Sequence, residues 1–156
     1  MVSSLPSEGK IIAISVSDVR GVRKHNIEEA EFVVEYGIRG DAHAGKWHRQ
    51  VSLLAIESIE RFNDSTGYGI NPGDFAENVT IRGLDLLSIP VGEKIELGND
   101  VILEITQHGK QCHHDCAIFQ EVGKCAMPTE GIFARVLKGG TVKVGETVKL
   151  KKNFTR

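Results

Sequence analysis

Sulfur and aromatic rings are both scarce in this sequence. Three cysteines, two methionines and one tryptophan stand among 156 residues, and aromatic side chains make up 6% of the chain. An odd cysteine count does not suit a disulfide framework, which is built in pairs. Free or metal-bound thiols in a reducing compartment are therefore the expectation, and with them a cytoplasmic location. With so few aromatics and 17 glycines, backbone turns are expected to matter more than aromatic platforms. Charge of either sign is also in short excess. A formal net charge of -2 gives no electrostatic reason to expect nucleic acid or an anionic membrane as the main partner. No apolar run approaches the ~20 residues that a membrane span needs. The opening MVSSLPSEGK lacks a basic region followed by an apolar stretch, so a secretory signal is not expected there. Residues 1–8 are expected to form a flexible N-terminus. Gly-rich phosphate loops, a Ser-centred nucleophile elbow and zinc-protease histidine spacing are missing as well.

What is present suits one soluble globular domain over residues 1–156, with 40% hydrophobic and 26% charged residues. Lys10–Ser17 (KIIAISVS) is rich in β-branched residues and reads as a buried first strand. Ser52–Phe62 (SLLAIESIERF) reads as a helix, with Ser52 as its cap, Ala55, Ile59 and Phe62 at helical spacing, and Asn63-Asp64 at its end. After Ile89 the pattern turns to β: Val91–Leu97 runs to a hairpin at Gly98-Asn99-Asp100 and returns as Val101–Gln107. The piece VGEKIEL is echoed near the end by VGETVKL (Val144–Leu150). Gly-Glu turns that start short alternating strands suit a twisted barrel. The expected fold is mainly β, a closed or distorted barrel with one or two short helices.

The chemistry concentrates in HGKQCHHDC, residues 108–116, with Cys125 beyond. As a structural zinc site, Cys112, His113, His114, Cys116 and Cys125 offer the right ligand types but not two tight pairs. As a redox pair they lack the Cys-x-x-Cys spacing. Cys116 and Cys125, beside AIF and AM, also read as small buried apolar residues. Cys112 differs, because it follows the strand VILEITQ and is flanked by Lys110, His113 and His114. Positive neighbours lower a thiol's pKa and favour the thiolate, the form that attacks or binds a soft metal.

Two further loops are polar. GDAHAGKWHRQ carries Asp41, His43, His48 and Arg49 between glycines. It reads either as a solvated turn or as an anion cradle of backbone N–H groups with Arg and His donors. PGDFAEN places Asp74, Glu77 and Asn78 after a turn, as a capped turn or as hydrogen-bonding groups for a polar heterocycle. Arg135, among apolar residues in GIFARVLKGG, either snorkels to solvent or reaches into a polar cavity.

The stretches GIRGDAHAGKWHRQVSLL, NPGDFAENVTIRGLDL, ITQHGKQCHHDCAIF and GIFARVLKGGTVKVGE, in that order, resemble the MOSC domain, the module at the C-terminus of molybdenum cofactor sulfurases that also occurs as small stand-alone bacterial proteins. The resemblance runs from about Ile38 to about Val148. It implies a closed, mostly β barrel with an essential cysteine after a barrel strand, the place that Cys112 holds. It further implies that this cysteine carries sulfur as a persulfide or ligates molybdenum of a bound molybdopterin cofactor or of molybdate. His43, Arg49, Asn78, Lys110 and Arg135 would then grip the cofactor's phosphate and pterin. Larger relatives supply part of the site from an added N-terminal barrel, and sulfur from a pyridoxal-phosphate desulfurase. A sulfur-donor protein or a molybdoenzyme is accordingly the expected partner, with sulfurtransferase-type activity left open. Two other readings stay beside this one: a zinc-stabilised adaptor using the Cys/His cluster, and an oxidoreductase subunit that works only with a partner chain.

Overall fold

In a computed structural model the described residues are 8–109 and 130–151. The first strand, β1 (Glu8–Val16), is the hub of the architecture. Its opening residues pair with β11 (Thr147–Leu150), its middle with β6 (Val79–Arg82) and its end with β2 (His25–Ile27), all antiparallel. From β11 the ladder passes through β7 (Lys94–Leu97), β8 (Val101–His108), β9 (Ile132–Lys138) and β5 (Val51–Ala55) back to β6. Seven strands thus close into a barrel, which removes the exposed edges an open sheet would present. Register shifts in the β1–β6 and β8–β9 ladders supply the local bends that closure needs. The barrel is filled by aliphatic side chains, among them Ile14, Leu53, Ile81, Ile95, Leu103 and Ile132, all fully buried. The expected mainly β, closed-barrel class is what the chain adopts.

β5 and β6 run parallel, and a parallel pair cannot be joined by a tight turn. The helix α1 (Ile56–Thr66) provides the crossover and covers a second core of Leu54, Ile59, Ile70, Phe75 and Phe133. The sequence pattern places that helix over Ser52–Phe62; it instead begins at Ile56, with Ala55 as its N-cap, and ends at Thr66. Ser52 therefore lies in a strand and caps nothing. The physical reason is that Val51–Ala55 is buried on both faces, Val51 and Leu53 in the barrel and Leu54 under the helix. A strand covered on both sides loses its alternation and cannot be told from a helix segment by period. At the far end Gly67 takes φ 79, and its N–H reaches Asn63 O, closing the helix.

The echoed VGE segments have a structural counterpart. Gly92 and Gly145 both adopt φ 97, and the strands they launch, β7 and β11, lie side by side with Val148 opposite Leu97. Each Gly-Glu belongs to the turn, so the strands start at Lys94 and Thr147 rather than at Val91 and Val144. A smaller sheet of β3 (Glu29–Val33), β4 (Gly37–Ile38) and β10 (Gly140–Lys143) packs beside the barrel and delivers the chain into the loop of residues 39–50. Among the described residues no helix is long and apolar enough to cross a membrane.

Candidate functional site

The loop of residues 39–50 is held from beneath by an ion pair. Lys24 Nζ donates to Asp41 Oδ1 at 2.8 Å and to Ser17 Oγ at 3.0 Å, with both charged side chains wholly buried. Asp41 also accepts the backbone N–H groups of Ser17 and His43. Burial pushes the Asp41 carboxyl up, but the Lys24 ammonium and those two N–H donors outweigh it and hold the group below its ordinary value. Asp41 is thus a fixed anchor that ties the loop to the end of β1.

Above this anchor the loop assembles a cationic aromatic cluster. Trp47 Nε1 donates to His43 O at 2.8 Å, and the two rings lie parallel with centroids 6.4 Å apart. His48 meets the indole edge-on. The Arg49 guanidinium sits 4.6 Å from the Trp47 ring centroid and 5.5 Å from that of Phe133. Among the described residues its buried Nε has no hydrogen-bond partner and it forms no ion pair. Arg20, from the turn after β1, also lies 4.6 Å from the Trp47 centroid and donates Nε to Ala42 O.

Beside this cluster an open cleft of about 580 Å³ is bordered by Trp47, His48, Glu104, Thr106 and Arg135. Arg135 is half-buried there. It donates Nε to Glu104 Oε1 at 2.6 Å and lies 3.6 Å from Glu35, so its charge is balanced by carboxylates. It reaches the cleft rather than simply snorkelling to solvent.

The same loop touches the root of the thiol segment. His48 Nε2 is 2.6 Å from Gln107 Oε1, Gln107 Nε2 donates to Gly109 O at 2.7 Å, and Thr106 Oγ1 donates to His48 O. Gly109 N donates to Gly131 O at 2.7 Å, so the two described ends of the 110–129 segment meet. Lys110, Cys112, His113, His114, Cys116 and Cys125 lie outside the described residues. Among the described residues no three His, Cys, Asp or Glu side chains group to hold a metal ion.

Asn78 occupies a different place from His43, Arg49 and Arg135. It is fully buried in the barrel wall; its Oδ1 accepts from Ser52 N and Ser52 Oγ, and its Nδ2 donates to Ser15 O. One amide thereby joins β1, β5 and β6. Its neighbour Glu77 is also sealed from solvent. Oε2 accepts from Gly73 N and Thr80 Oγ1, whereas Oε1 has no hydrogen-bond partner among the described residues. Burial pushes the Glu77 carboxyl up to about 7, against the lowering pull of those donors. Gly73 makes this packing possible: at φ +95, a Cβ there would come 2.5 Å from Lys24 O.

The loop pattern picked out His43, His48 and Arg49 but not the residues that arrange them. Gln107 reads as the last residue of a strand, and nothing in the sequence pattern draws attention to Arg20. The one available signal was the chain's single tryptophan, set among three basic residues in GKWHR.

The family model of the MOSC domain matches residues 40–149, well over half of the sequence. The chain belongs to the MOSC domain family. Solved structures agree on the fold of this MOSC domain. The YUAD protein from Bacillus subtilis superposes with a TM-score of 0.77 at 20% identity, covering 94% of this chain and 97% of that one. YiiM from Escherichia coli gives 0.70 at 15% identity, over 97% and 73% of the two chains. YiiM from Geobacillus stearothermophilus gives 0.72 at 17%, over 92% and 75%. At such identities the likeness speaks to architecture alone. No curated protein matches the MOSC domain described here.

Proposed function

We propose that this MOSC domain binds a molybdopterin-type molybdenum cofactor and handles sulfur through Cys112. The observation that carries the reading is the Arg49 guanidinium. A cation with a buried, unpartnered N–H is costly unless an acceptor meets it. The phosphate of such a cofactor is an acceptor of the right charge, and His43, His48 and the cleft beside Trp47 provide further polar contacts. The chain's own donor set therefore suits the cofactor's anionic end.

Cys112 follows Gly109 by three residues, a span of at most about 11 Å of chain. Through Gln107, Gly109 is tied to the His48 end of the basic loop. A thiolate carried there would be favoured by the Arg49 guanidinium and by its sequence neighbours Lys110, His113 and His114. When bound, the cofactor supplies a sulfur-ligated molybdenum centre. The chain's part is to grip the phosphate, to exclude water with the Trp47 and Phe133 rings, and to present one thiolate. As a sulfur carrier, that thiolate attacks the outer sulfur of a donor persulfide. The new S–S bond forms on Cys112 as the donor's bond breaks, and the donor departs as a thiolate without net oxidation. As a ligand, the same sulfur would hold the molybdenum.

Anaerobic purification followed by assays for molybdenum, oxidised pterin and cyanide-labile sulfur tests the proposal. Cofactor or labile sulfur in the wild type, lost in Cys112→Ser, is the expected result. Absence of all three, before and after loading with cofactor, overturns it.

A further inference from the structure

Arg20 is not among the residues suggested by the basic loop, since it belongs to the turn between β1 and β2. Its guanidinium nevertheless lies as close to the Trp47 ring as that of Arg49, 4.6 Å from the centroid in each case. The two cations are therefore no more than twice that distance apart. Like charges at such a separation repel, and neither one forms an ion pair among the described residues. Asp41 pairs with Lys24, Glu104 with Arg135 and Asp74 with Arg23. Apart from Arg20 Nε, which donates to Ala42 O, neither guanidinium has a hydrogen-bond partner among the described residues. An indole holds a guanidinium flat against its face while leaving the N–H edge free for a bidentate oxyanion. Two such edges at one ring suit an anion of charge two.

We infer that Arg20 and Arg49, each with its guanidinium carbon over the Trp47 ring, form a clamp for the dianionic phosphate of a phosphomonoester. The inference rests on the cofactor reading only for whose phosphate it is. The clamp is a property of this chain and is testable with inorganic phosphate alone. Trp47 acts as the platform, Arg20 as a second ligand from a separate turn, and binding joins that turn to the 39–50 loop. Free molybdate has the same charge and tetrahedral shape, so it competes for the clamp. A pterin without phosphate does not.

Because Trp47 is the chain's sole tryptophan, its emission reports on the clamp directly. The full chain is titrated with inorganic phosphate at pH 8 and low ionic strength, with chloride as the control. Thermal unfolding is followed in parallel, because a ligand that binds the folded form raises the midpoint. A saturable emission change with a rise in midpoint is expected. Arg20→Gln and Arg49→Gln should each weaken phosphate by at least about tenfold. Arg61→Gln, on α1 and paired with Glu130, should leave it unchanged. Arg20 is exposed, so its variant remains folded and informative. Phosphate binding that matches chloride, or that survives Arg20→Gln intact, overturns the clamp. Molybdenum and pterin content separates the two claims. Wild-type cofactor content in Arg20→Gln, despite lost phosphate binding, overturns the clamp as the cofactor's phosphate seat and leaves the cofactor reading standing. Phosphate binding by a wild type that takes up no cofactor upholds the clamp and rejects the cofactor reading.

Discussion

His48 donates its Nε2 proton to Oε1 of Gln107 across 2.6 Å, and a neighbour fixes the direction of that bond. Gly109 O can only accept, so the Gln107 NH2 must face it, at 2.7 Å. The amide oxygen then points at His48, whose Nε2 must carry hydrogen. The basic loop and the root of the thiol segment are thereby joined by a relay with a single polarity. Gln107→Leu should free the imidazole to sample both tautomers. Nitrogen-15 NMR of His48 is expected to show Nε2–H in the wild type and a mixture in the variant, with a stability loss of about 1 kcal/mol.

Asn78 makes a contrasting prediction, since its amide serves the scaffold. Asn78→Ala leaves the Ser52 N–H and the Ser15 carbonyl without their partner inside the barrel wall. At about 1–3 kcal/mol for each buried group left unsatisfied, denaturant unfolding should show a loss of several kcal/mol. Phosphate binding by the fraction that remains folded should change little.

Glu77 gives stability an unusual pH dependence. The folded chain holds a proton on this carboxyl up to about pH 7, whereas the ordinary value is 4.5. Between those values the native state binds more protons than the unfolded state, so stability falls as pH rises. The group's favourable contribution is complete below 4.5 and lost as pH passes 7, a swing of up to about 3 kcal/mol. Glu77→Gln, which mimics the protonated side chain, should be insensitive over this window. Urea unfolding at pH 5 and pH 8 checks it: the wild type should weaken relative to the variant.

The Lys24–Asp41 pair has the opposite sign. Its carboxyl lies below the ordinary 3.8, so its contribution is present at neutral pH and disappears as acid protonates Asp41 through its lowered pKa. Lys24→Met leaves a buried carboxylate unpaired and should cost about 3–5 kcal/mol at pH 7. Hydrogen exchange should localise the loosening to residues 39–50, the loop that Asp41 anchors.

Much of the fold was legible in the chain because local rules and tertiary demands agree there. The Gly98 hairpin falls between β7 and β8 as expected, and the repeated Val-Gly-Glu marks two adjacent strands turned by identically bent glycines. β5 was not legible. Leu53 and Leu54 both face apolar cores, on opposite sides, and this erases the period-2 signal. The site was half legible. Residue type singled out Arg49 and His43 as candidate anion donors, but partners distant in sequence decide what such groups do. Arg20 meets Trp47, His48 meets Gln107, and Arg135 is neutralised by Glu104, pairings that only the closed barrel creates. Asn78 carries the same chemical label as a ligand-binding amide, and the barrel turns it inward.

The proposed role of Cys112 requires a thiolate favoured by the Arg49 guanidinium. Its most direct test is the pH dependence of alkylation at Cys112, resolved from Cys116 and Cys125 by peptide mass spectrometry. The account predicts an apparent pKa below the ~8.5 of a free cysteine, rising when Arg49 is replaced by Gln. Reaction at Cys112 no faster than in the unfolded chain, and indifferent to Arg49→Gln, would contradict it.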